Sequence, residues 1–129
     1  MAKRILAVED EPDILECLEI ILSTSGYFVD TSLTSLGIEQ KITDFKPDLI
    51  ILDIMLGACD GREICKAIKS NSKLKHIPII MLSAHPDVVN SVSAYGANDF
   101  IAKPFDLNDL LYRVKINIAP EDIAPGIAC

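Results

Sequence analysis

The chain has 129 residues, half of them apolar, and a formal net charge of −7, so it can close one hydrophobic core and is too apolar to stay disordered. The acidic balance sets its surface against nonspecific nucleic-acid binding, because phosphates are repelled. The apolar stretches are too short for a membrane-crossing helix or a secretory leader, and Cys17, Cys59, Cys65 and Cys129 show no paired metal spacing, which predicts reduced thiols in a soluble, cytoplasmic protein.

Strand alternates with helix along the whole chain, with no internal repeat or low-complexity linker. The first strand is expected over Arg4 to Val8. Pro12 or Asp13 opens a helix in which Ile14, Leu15, Leu18, Ile21 and Leu22 recur at helical period, and Gly26 supplies a stop. Tyr27 to Thr31 reads as a short second strand. Thr34 to Asp44 reads as a helix with Leu36, Ile38, Ile42 and Phe45 on its buried side. Pro47 punctuates before the third strand, Leu49 to Asp53. The loop from Gly57 to Gly61 leads into a helix through Ile64, Ala67 and Ile68, and the fourth strand runs from Ile79 to Ser83. A short polar helix is expected over Asp87 to Tyr95 and a fifth strand over Phe100 to Ala102. Asp106 can cap a last helix carrying Leu107, Leu110, Leu111, Val114 and Ile118. Five strands alternating with five helices predict an α/β fold with a doubly wound parallel sheet. The third and fourth strands are apolar enough to be covered on both faces. The expected organisation is one domain over residues 1–119 and a short flexible tail over 120–129.

The first, third, fourth and fifth strands each deliver polar groups at the C-terminal end, and in an open parallel sheet those ends share one edge, where ligands bind. Glu9, Asp10, Asp53, Ser83 and Lys103 therefore converge, although up to 94 positions separate them. Three carboxylates at one edge repel one another unless a cation is present. A hard divalent ion resolves this: Mg²⁺, with Mn²⁺ as its substitute, could be bound directly by Asp10 and Asp53 and through water by Glu9. Asp53 can also act as a nucleophile and form an acyl phosphate. Phosphoryl transfer needs mainly positioning and charge neutralisation. Mg²⁺, Lys103 and Ser83 would each take one phosphoryl oxygen. The plainer alternative is that the acids after the first strand only favour the dipole of the next helix. The common placement of all five groups favours a site.

Four motifs carry a resemblance: Glu9-Asp10-Glu11-Pro12, Asp53-Ile54-Met55-Leu56 with Asp60-Gly61, Ser83-Ala84, and the run from Gly96 to Phe105. In order and spacing the chain resembles the response-regulator receiver domain of two-component signalling, in its single-domain form. The resemblance implies a flavodoxin-like (βα)5 fold with a five-stranded sheet. It implies Asp53 as phosphoacceptor, and Mg²⁺ held by Asp10, Asp53 and the Met55 carbonyl with Glu9 assisting. It implies Ser83 and Lys103 as holders of the phosphoryl group, Phe100 as the switch aromatic that follows Ser83, and a cis Lys103–Pro104 bond. The surface of the fourth helix, fifth strand and fifth helix would then change, a local charge event biasing a two-state element. The implied donor is a sensor histidine kinase or a histidine phosphotransfer protein. The implied output is a downstream protein partner or onward phosphotransfer, with no direct DNA binding and no membrane. Such a protein is a signalling component and catalyses only its own phosphorylation and dephosphorylation.

Three departures from the family pattern stand out. Glu9 replaces the usual first Asp, Gly57-Ala58-Cys59 replaces a common Pro-Gly-Met, and the stretch from Ser83 to Lys103 is about two residues short. A missing proline should loosen the loop after Asp53. His85 reads as an exposed loop residue rather than a base. Competing readings fare worse. A phosphatase working through an aspartyl phosphate needs an Asp where Met55 stands. A nucleotide or flavin binder needs a glycine-rich phosphate loop that the chain lacks. The remaining alternative is a receiver-like interaction module that works without phosphorylation.

Overall fold

A computed structural model describes residues 2–85 and 89–118. The start of the expected Asp87 helix and the expected tail lie outside the described residues. The elements run β1 (Arg4–Val8), α1 (Pro12–Thr24), β2 (Phe28–Ser32), α2 (Ile38–Phe45), β3 (Leu49–Asp53), β4 (Met55–Leu56), β5 (Cys59–Asp60), α3 (Gly61–Ser70), β6 (Ile79–Ser83), α4 (Val89–Val92), β7 (Asp99–Ala102) and α5 (Leu107–Ile118). A 3₁₀ turn over Ser93–Tyr95 follows α4. The main sheet has five strands in the order β2-β1-β3-β6-β7, all paired in parallel. This is the flavodoxin-like arrangement, whose order reverses between β1 and β3.

Burial follows from that order. All residues of β3 and β6 are buried, because each central strand is covered on both faces. Leu6, Val8, Ile50, Leu52, Ile79 and Met81 pack on the α2 and α3 side with Ile42 and Ile68. Ile5, Ala7, Ile51, Ile80 and Leu82 pack on the α1 and α5 side with Leu18, Leu22, Leu110 and Val114. Neighbouring residues of one strand thus serve opposite cores.

Two local expectations are corrected, the start of α2 and the start of β2. Gly37 adopts a left-handed conformation and α2 begins only at Ile38, so Leu36 stands outside the helix and is 84% exposed rather than buried. Cys65 and Ile68 are buried on the inner side of α3. Leu107, at the first position of α5, is exposed. β2 begins at Phe28, one residue later than expected. Asp106 does cap α5, its Oδ2 accepting from the Asp109 N–H at 2.9 Å.

Candidate functional site

The polar groups that end the strands meet at one edge. Asp53 ends β3, Ser83 ends β6, Glu9 and Asp10 follow β1, and Lys103 follows β7. Two backbone bonds extend the ladders into the loops: Glu9 N–H donates to Ser32 O at 3.1 Å and Lys103 N–H to Ser83 O at 2.8 Å. The Lys103–Pro104 peptide bond is cis. A cavity of about 300 Å³ opens here, lined by Asp10, Asp53, Met55, Ser83, His85 and Lys103 among others.

Lys103 organises the charges. Its Nζ donates to Asp53 Oδ2 at 2.9 Å and to Glu9 Oε1 at 3.0 Å. Glu9 and Asp53 are almost fully buried, whereas Asp10 is exposed. The other Asp53 oxygen, Oδ1, accepts from the Met55 N–H at 3.1 Å. Carboxylate oxygens of Glu9, Asp10 and Asp53 lie within 4.8 Å of one another. Burial, then the neighbouring Asp53 carboxylate, push the Glu9 carboxyl up to about 8, against the pull of Lys103. Burial alone pulls the Lys103 ammonium down. Its bonds and charge contacts with Asp53 and Glu9 together outweigh that, so it titrates above its ordinary value. The second Glu9 oxygen, Oε2, is buried with no hydrogen-bond partner. An orphaned buried carboxylate oxygen beside two more carboxylates suits a hard cation with oxygen ligands.

The expectation of a loose loop after Asp53 meets a more ordered arrangement. Met55–Leu56 and Cys59–Asp60 pair as an antiparallel hairpin around Gly57 and Ala58. Gly57 takes a positive φ of 61°, and its N–H donates to Asp10 Oδ2 at 3.0 Å. Asp60 then caps α3 through Arg62 N–H at 2.9 Å. Sequence reading missed the hairpin, whose only signal is a glycine between two short runs. It also gave no role to Gly61, where a side chain would overlap the Asp53 carbonyl oxygen.

The remaining expected residues are placed as follows. Ser83 Oγ is buried and accepts from the His85 N–H at 3.0 Å. His85 is exposed on the rim of the cavity. Met55 is half exposed beside Asp53. Phe100 lies within β7 and is half-buried against the α2 and α3 core.

Comparison with known proteins agrees with this geometry. Residues 5–115 match the family model described as the response regulator receiver domain. The chain is 32% identical over 127 residues to the DNA-binding dual master transcriptional regulator RpaA of Synechocystis sp., covering 97% of this chain and 53% of that protein. It is 33% identical over 130 residues to the DNA-binding response regulator MtrA of Mycolicibacterium smegmatis, covering 98% and 55%. The chain thus spans about half the length of the curated relatives it matches. Among solved structures it resembles the signal receiver domain of a signal transduction histidine kinase from Syntrophus aciditrophicus, with a TM-score of 0.84, 32% identity and 95% of each chain covered.

Proposed function

Because the chain belongs to the response-regulator receiver domain family, we propose that Asp53 is the residue on which it accepts its phosphoryl group. A receiver is the phosphoacceptor of two-component signalling, and the alternative of a module that works without phosphate is not favoured. The observation that carries the choice of Asp53 is its position. It ends the central strand, at the floor of the cavity, with Lys103 on one oxygen and Glu9 and Asp10 beside it.

The chemistry follows from these contacts. An Asp53 carboxylate oxygen attacks the phosphorus of a phosphohistidine on a sensor histidine kinase or histidine phosphotransfer protein. The P–N bond breaks, its electron pair returns to the imidazole, and that nitrogen takes up a proton. Hydrolysis of the resulting aspartyl phosphate by water restores Asp53. Mg²⁺, when bound, supplies positive charge to phosphoryl oxygens and to the carboxylates. Asp10, Asp53 and the Met55 carbonyl would hold it, with Glu9 assisting, and the orphaned Glu9 oxygen fits that set. Lys103 transfers its hydrogen bond from Asp53 to a phosphoryl oxygen. Ser83 turns its hydroxyl toward another, and Phe100 moves into the space released. The surface of α4, β7 and α5 then changes, and a protein partner reads it or the phosphoryl group passes on. In this reading the receiver occupies residues 1–119 and works in the cytoplasm. Among the described residues no helix is long and apolar enough to cross a membrane.

Intact mass after incubation with acetyl phosphate tests the assignment. The wild type is expected to gain one phosphoryl group only with Mg²⁺, and Asp53→Asn to gain none while keeping its fold. A phosphorylated Asp53→Asn protein refutes the site. A wild type that neither gains mass nor binds beryllofluoride refutes phosphoacceptance and returns the interaction module to first place.

A further inference from the structure

We propose that a cleft at the opposite edge of the sheet docks an acidic peptide segment of a partner protein, one with carboxylates flanking a bulky aliphatic or aromatic side chain. The cleft measures about 460 Å³ and lies where α2 ends and where the chain enters β3 and β6. Ile42, Pro47, Leu74 and Ile77 form its apolar floor, and Lys46, Lys73 and His76 stand on its rim. β3 runs from this edge to Asp53 at the other, so an occupant here leaves the phosphoryl site open.

Charge supports the choice of partner. Acidic residues outnumber Lys and Arg by 19 to 12 in this chain, yet Lys46 and Lys73 on the rim, and Lys75 two residues after Lys73, are all exposed. None of the three has an ion-pair partner among the described residues. The one acidic side chain lining the cleft, Asp48, already accepts from the Arg4 N–H at 2.8 Å. An uncompensated basic rim around an apolar floor complements a segment that brings both carboxylates and an apolar anchor.

Two further features concern Lys46 and the wall. Lys46 takes a φ of 54°, and it is the only non-glycine with positive φ among the described residues. That backbone favours glycine, which has no Cβ to strain. Gly26, Gly37, Gly57 and Gly96 fill the other such positions. The chain keeps a cation where the backbone prefers glycine, at the rim of the cleft. The opposite wall is preformed. Leu74 N–H and Lys75 N–H both donate to Asn71 O, and Lys69 Nζ reaches Ile77 O at 2.7 Å. Little ordering is left to pay on binding.

The test presents a random peptide library on phage to the intact chain. Enriched peptides are expected to carry acidic residues around an apolar one and to shift the amides of Thr43 to Asp48 and Lys73 to Ile77. Lys73→Glu is expected to weaken them roughly fivefold or more, while Lys115→Glu, the same charge change on α5, does not. Lys46→Gly is expected to weaken them with a thermal midpoint no lower than wild type, since glycine suits that backbone. No enrichment, neutral or basic peptides, or equal weakening by Lys115→Glu overturns the proposal. A single-stranded oligonucleotide that binds the same amides more tightly than the selected peptides also overturns it.

Discussion

Gly61 packs its bare α-carbon against the backbone carbonyl of Asp53, and a side-chain carbon there would overlap that oxygen. Its N–H also donates to Ile54 O at 2.6 Å. The first residue of α3 is therefore seated on the backbone of the proposed phosphoacceptor. Gly61→Ala must move either the helix or Asp53. Overpacking of this kind costs about 1–3 kcal/mol. Urea unfolding is expected to show that loss, and phosphorylation by acetyl phosphate to slow with it. A variant of wild-type stability would show that α3 shifts freely.

Lys103 pairs with two buried carboxylates through one ammonium group. Lys103→Ala is expected to bind Mg²⁺ at least as tightly as wild type, because a competing positive charge is gone. The same variant is expected to lose most of the amide shifts that beryllofluoride produces in β7 and α5. Calorimetry and NMR read the two effects separately. Full beryllofluoride shifts without Lys103 would remove it from the switch.

Glu9 is expected to make the metal-free protein less stable as pH rises through neutrality. Its carboxyl is raised from 4.5 to about 8. A carboxyl raised on folding contributes stability that is complete below its unfolded pKa and is lost as pH climbs through its folded one. In a chelator, the urea midpoint should therefore fall as pH rises from near 4.5 and level off above about 8. Lys103 is also raised, so its contribution persists below its ordinary value of 10.5 and does not offset this window. Glu9→Gln should flatten the slope. With saturating Mg²⁺ the ionised form is stabilised and the slope should shrink or reverse. An unchanged profile in Glu9→Gln would place the sensitivity elsewhere.

The thiols separate by burial. Cys17 and Cys59 are exposed, and burial pushes the Cys65 thiol up to about 11. Because the thiolate is the reactive form, iodoacetamide at about pH 8 should label Cys17 and Cys59 in the native protein and spare Cys65. Peptide mapping with and without urea checks this. Native labelling of Cys65 would mean that α3 opens readily from the sheet.

Much of the fold is legible in the chain because its signals are local. Strand-length apolar runs end in polar residues at Asp53 and Ser83, and helical periodicity marks Leu15, Leu18 and Leu22, all of which are buried. Once a parallel sheet follows from the alternation, its strand ends must share an edge. Glu9, Asp10, Asp53, Ser83 and Lys103 are therefore found together from the sequence alone. The contacts that decide their chemistry are not local. Glu9 meets Lys103 across 94 positions, and Gly57 reaches Asp10 across 47. Periodicity on α2 could not show that Gly37 would break the run and leave Leu36 in solvent. Nor could any motif assign Gly61 its contact with the Asp53 carbonyl or set Lys46 in a left-handed backbone beside an apolar cleft. Residue order determined which groups reach the edge. Tertiary packing decided which of them are desolvated, paired or strained, because those states depend on neighbours that the linear pattern does not specify.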